Sequence, residues 1–206
     1  MKIKNPLLVL MSLVGIMACG KEKPPTTKHI SFYESFETGQ FRAILRPLNN
    51  QLNGWIPNGV ADISISNKEF KIKSWLDDSA NVTHRQFVTM VSKCPTISND
   101  SNGDGLIDFK EAFQSTKKIL IPLDSDLSIY SEENPQYPKG NFNYEQKIDL
   151  NKLQLQNNMG LELNGKALIV LGTSISKDLP NSVSSFENAL PQLSIPIACG
   201  IIKKIN

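Results

Sequence analysis

Histidine is almost missing from this chain. Two occur in 206 residues, His29 and His84, too few for any metal centre built on several imidazoles. Charge of one sign is missing too. Lys+Arg number 22 against 20 Asp+Glu, a formal net charge of +2, so no global basic field recruits nucleic acid. No apolar run approaches the roughly 20 residues that span a bilayer as a helix. The catalytic signatures G-x-S-x-G, P-loop, H-E-x-x-H and C-x-x-C are all absent, and no local motif pairs a serine with His84. Cysteines number 3, too few for a disulfide-built miniprotein, and the chain is long enough to bury a core without that help.

What is present begins with Met1-Lys2-Ile3-Lys4, an apolar stretch from Pro6 to Met17, and Ala18-Cys19-Gly20. A basic start, a short apolar core and a small residue before the break are the parts of a secretory signal, here residues 1–18. Ile16-Met17-Ala18-Cys19 resembles the lipobox of bacterial lipoproteins. That resemblance implies a lipid on Cys19, attachment to a membrane of the cell envelope and, since Gly20 rather than Asp follows, the outer membrane. The next residues, Lys21-Glu22-Lys23-Pro24-Pro25-Thr26-Thr27-Lys28, lack apolar content and read as a solvated tether extending to about residue 38. Cys94 and Cys199 then remain, and an exported chain keeps disulfides. Their bridge is expected, worth roughly 4–5 kcal/mol on loop-closure entropy.

Residues 39–206 read as one domain made of strands. Ala61 to Ser66 and Phe70 to Lys73 alternate apolar and polar around an Asn67-Lys68 turn, a hairpin pattern. Phe41, Ala43 and Leu45 alternate with Arg42, Ile44 and Arg46 ahead of Pro47. Ile119–Ile121, Ala167–Leu171 and Ile195–Ile202 are short branched runs suited to buried strands. Long loops are expected from Asp124 to Asn143 and from Asn181 to Gln192, with one helical turn near Phe186. The pattern fits an all-β fold, an antiparallel Greek-key β-sandwich with a short helical insertion.

That insertion holds the most specific signal, Asp100 to Glu111. Calcium takes six to eight oxygen ligands, and an EF-hand-type loop supplies them by position. Asp100, Asn102 and Asp104 stand first, third and fifth with side-chain oxygens. Gly105 stands sixth at the sharp turn, and Leu106 seventh offers its carbonyl. Asp108 is ninth and Glu111 twelfth, the latter able to bind through both oxygens. Ile107, eighth, would pin the loop to the core. Four carboxylates so close would repel one another without a cation. Phe109 to Lys118 would form the exit helix, whereas Pro95 leaves room for one entering turn. A single loop points to structural Ca2+ rather than a sensor.

Three stretches also carry a likeness to the sandwich family of CHRD domains and copper/zinc superoxide dismutases. Phe41 to Leu48 with its following hairpin resembles the opening CHRD strands. Leu163 to Val170 resembles the dismutase strand that runs into a copper-ligand histidine. Ile197-Ala198-Cys199-Gly200-Ile201-Ile202 resembles the closing strand, whose cysteine bridges to a loop where Cys94 stands. The resemblance implies the fold and that disulfide. It does not carry the activity, because Leu171 stands at the histidine position and Thr83 to Thr89 keeps only His84. The expectation is therefore a calcium-binding, non-catalytic lipoprotein. Two alternatives are a metalloenzyme with an altered copper or zinc site, and an adhesive module presenting Tyr130, Tyr137 and Tyr144. The sequence names no protein or small-molecule partner.

Overall fold

The computed structural model describes residues 37–52, 54–113, 119–128, 136–153, 155, 160–174, 179–186 and 189–206, all within the compact unit Phe32–Asn206. The expected signal, the expected lipid site Cys19, most of the expected tether, His29, Tyr130 and the end of the expected exit helix (114–118) lie outside the described residues.

Eight strands form: β1 (Gly39–Pro47), β2 (Asn58–Ile65), β3 (Glu69–Asp77), β4 (Gln86–Thr89), β5 (Ile119–Pro122), β6 (Phe142–Asp149), β7 (Ala167–Leu171) and β8 (Pro196–Lys204). Among the described residues one short α-helix, α1 (Phe109–Phe113), lies between β4 and β5. The expected hairpin is β2–β3, in register from Ile65↔Phe70 to Asn58↔Asp77. Ser66 closes its turn: the hydroxyl accepts the Glu69 N–H at 3.1 Å, and the Ser66 N–H donates to the Glu69 carbonyl at 3.0 Å.

All strand pairings are antiparallel, in the order β5-β4-β7-β8-β1-β2-β3-β6. The all-β, antiparallel class read from the sequence is thus what forms. Two separate stacked sheets are not seen among the described residues, because β8 pairs with β7 on one side and β1 on the other. The sheet instead curls into a half-barrel. Val88 and Ile121, from strands at one end of the order, share a core with Ile72 and Tyr144 from the other end. Close approach of β1 and β8 requires Gly200, where a Cβ would lie 2.5 Å from the Ile44 carbonyl oxygen.

The two halves differ in what covers their outer faces. Along β1, β2 and β3 buried and more exposed residues alternate, as the period-two pattern requires with one wet face. Strands β4, β5 and β7 are buried at every position. Their outer residues Phe87, Ile119, Ile169 and Leu171 pack in a second cluster with Ile107, Phe109, Phe113 and Phe186. The segment carrying the candidate loop therefore lies over that half of the sheet as a lid. The Cys94–Cys199 disulfide, with Cα atoms 5.7 Å apart, fastens the start of this segment to β8.

Strand β6 went unassigned in the sequence reading. Its inward positions are Phe142, Tyr144, Gln146 and Ile148, so polar atoms blur the alternation. Tyr144 corrects a second expectation. It is buried, 9% exposed, with its hydroxyl donating to the Asp124 carbonyl at 2.7 Å. Tyr137 packs against Phe87 under the Arg85 guanidinium. Neither tyrosine is the exposed contact that an adhesive surface needs.

Candidate metal centre

The twelve-residue segment closes on itself through Asx turns, in which carboxylate and amide oxygens capture main-chain N–H groups ahead of them. Asp100 Oδ1 accepts from Gly103 at 2.7 Å and Asp104 at 3.2 Å, while Oδ2 accepts from Gly105 at 2.8 Å. Asn102 Oδ1 accepts from Asp104 at 2.9 Å, and Asp104 Oδ1 from Leu106 at 2.9 Å. The chain can wrap this tightly because Gly103 and Gly105 adopt φ of 75° and 85°, a region that side chains resist.

Asp108 and Glu111 join loop to helix. Asp108 Oδ1 accepts the Glu111 N–H at 2.9 Å, and Glu111 Oε2 accepts the Asp108 N–H at 3.0 Å, the reciprocal capping box of a helix start. The other Glu111 oxygen reaches back to the loop entrance and accepts from Ser101 N–H at 2.7 Å, the Ser101 hydroxyl at 3.1 Å and Asn102 N–H at 3.3 Å. First and last turns are thus tied through one carboxylate, buried to 9% exposure. Upstream, the entering turn shrinks to a 3-10 helix at Ile97–Asn99, consistent with Pro95.

Two outside segments hold the loop, and sequence reasoning missed both. Asn49 exchanges two hydrogen bonds with Ile107, its Nδ2 donating to the carbonyl at 2.8 Å and its Oδ1 accepting the N–H at 2.9 Å. Gln51 Nε2 donates to the Gly105 carbonyl at 2.8 Å. With the carbonyls on either side clamped, the orientation of the intervening Leu106 carbonyl is set. On the other flank the Ser182 hydroxyl donates to Asp104 Oδ2 at 2.6 Å, and the Ser184 N–H to Asp108 Oδ2 at 2.7 Å. Leu106 packs with Val183 and Ile195, and Ile107 is 3% exposed in the second core cluster.

The carboxylates therefore do not face one another across an open centre. As placed, the described residues contain no group of three or more His, Cys, Asp or Glu side chains that could hold a metal ion. Amide and hydroxyl hydrogens take up the charge that was expected to need a cation. The donor chemistry still matches calcium: side-chain oxygens at the first, third, fifth, ninth and twelfth places, with no nitrogen or sulfur among them.

His84 stands apart from this loop. It is fully buried, with Nδ1 3.1 Å from the Leu171 carbonyl oxygen and Nε2 2.9 Å from that of Ala80. Burial pushes its pKa below the ordinary 6.5, against the two carbonyls. The positions that the dismutase likeness singled out, His84 and Leu171, are thus neighbours. Both imidazole nitrogens face main-chain oxygen there, leaving neither turned toward a metal. No protein-family model and no curated protein matches this chain.

Proposed function

We propose that this chain is a non-catalytic calcium-binding lipoprotein of the cell envelope, with one structural ion in the loop from Asp100 to Glu111. The observation that carries the reading is that one buried carboxylate, Glu111, already gathers the second, third and ninth residues of a loop whose candidate ligand positions all offer oxygen. Side chains of Asp100, Asn102, Asp104, Asp108 and Glu111 and the Leu106 carbonyl would hold the ion. They would exchange N–H partners for it, since calcium accepts a flexible cage of oxygens. The ion would lock the lid onto β4 and β7, since a ligand that binds only the folded loop stabilises it.

Location outside the cytoplasm is supported by the Cys94–Cys199 disulfide, because such bonds persist in oxidising compartments. We read the half-barrel as a variant of the dismutase-like sandwich with its two faces joined through β8. The disulfide from the segment after β4 to the last strand is the pairing that likeness implies. The enclosed position of His84 weighs against an altered copper or zinc enzyme on the same scaffold.

Calorimetric titration with calcium tests the proposal. One ion per chain, with heat abolished in Glu111→Gln, is the expected result. Stoichiometric copper or zinc in the purified protein, with no calcium heat, would overturn it.

A further inference from the structure

We propose a second site: the groove along β1 and β8, on the sheet face left open among the described residues, holds one linear anionic amphiphile, an acyl chain ending in a carboxylate. The groove is a shallow, open trough of about 450 Å³, within the size range of small-molecule sites. Its middle is apolar. Ile44 and Ile201 lie side by side there, and Ile44 and Ile205 are 56% and 50% exposed. The disulfide Cys94–Cys199 closes one wall.

The charged residues that line the rim are all cationic. Arg42, Arg46 and Lys203 line the groove and no acidic side chain does. Arg42 is satisfied by Asp62, through bonds of 2.6 and 3.0 Å. Arg46 and Lys203 have no acidic partner among the described residues. Arg46 pairs in register with Cys199, and Lys203 with Arg42, so the two cations stand four residues apart along β1, roughly 13 Å. Ile44 and Ile201 lie between them, and Ile205 lies just beyond Lys203.

This arrangement selects its occupant by elimination. A wholly apolar guest would cover cations without a counter-charge, which is costly. A small anion would leave the isoleucines in water. An extended acidic peptide would bring main-chain N–H and C=O groups to a face without a free ladder, since β1 is already paired with both β2 and β8. An anion carrying an apolar tail meets both demands. The head group sits at Arg46 or Lys203 and the tail lies along the isoleucines.

The test is titration of the full chain with dodecanoate below its micellar concentration. Parallel arms use dodecanol, which keeps the tail, and butyrate, which keeps the head. Dodecanoate should bind one per chain, and both comparators at least ten-fold more weakly. The double variant Arg46→Gln/Lys203→Gln should lose ten-fold or more in affinity for dodecanoate at an unchanged melting temperature, because both side chains are exposed. Undiminished binding in that variant, equal binding of dodecanol, or a response only to anionic phospholipid vesicles would each overturn the proposal.

Discussion

Asn49 and Ile107 exchange a pair of hydrogen bonds, 2.8 and 2.9 Å, in which one side-chain amide behaves as a strand would toward the middle of the loop. The same Nδ2 donates to the Pro196 carbonyl at 2.9 Å, so a single side chain joins the loop to the start of β8. Asn49 itself has φ of 51°, a conformation that asparagine tolerates better than most residues. A loop with no twin to pair against thus receives its partner from a turn distant in sequence.

Asn49→Asp replaces the double donor with an acceptor that faces two carbonyl oxygens. Loss of buried, satisfied bonds of this kind should cost about 3–5 kcal/mol, seen as a shift of the urea midpoint. Asn49→Ala should cost less, since it leaves no charge buried. Equal midpoints for the wild type and Asn49→Asp would show that the clamp contributes nothing.

The disulfide fixes the other end of the lid across 105 residues. Replacing Cys94 and Cys199 together by alanine should lower unfolding free energy by about 4–5 kcal/mol on loop-closure entropy. Much of that loss belongs to the unfolded chain, so the spectrum of the folded variant should change little. A loss below about 1 kcal/mol would contradict this.

Asp124 gives a pH signature. Burial raises its carboxyl from 3.8 to about 6, against the N–H groups of Leu127 and Asp126 that favour the ionised form. A carboxyl with a raised folded pKa contributes stability below its unfolded pKa, and that contribution disappears as pH rises through about 6. Asp124→Asn keeps an acceptor for those N–H groups and cannot ionise. The variant should therefore gain about 2–3 kcal/mol over the wild type at pH 7–8 and nothing near pH 3. A difference independent of pH would refute the assignment. His84 acts in the opposite sense: its folded pKa lies below 6.5, so stability from the neutral ring is lost as pH falls below 6.5.

Much of the fold was legible because it rests on period-two contrast. Phe41, Ala43 and Leu45 against Arg42 and Arg46, and the β2–β3 hairpin, show it plainly. The half under the lid was legible as short branched runs, since burial on both faces removes the alternation. Strand β6 was lost because Tyr144 and Gln146 occupy inward positions. The joining of two faces through β8 is a matter of long-range pairing that no local pattern encodes. Within the site, the twelve positions were readable from spacing alone. Asn49, Gln51, Ser182 and Ser184 were not, because an ordinary polar residue in a turn gives no sign of which distant N–H or carboxylate it will meet. The turning of the carboxylates onto amides was equally hidden.

The most direct measurement is a pair of melting curves, one in excess calcium and one in a calcium chelator. A hundred-fold excess of ion over its dissociation constant should stabilise the fold by about 2.7 kcal/mol, raising Tm by roughly 5–10 °C for a domain of this size. In Glu111→Gln, which keeps the capping pattern with Asp108 but loses the carboxylate, the two curves should coincide. Superimposable curves for the wild-type protein in calcium and in chelator would contradict a structural ion in this loop.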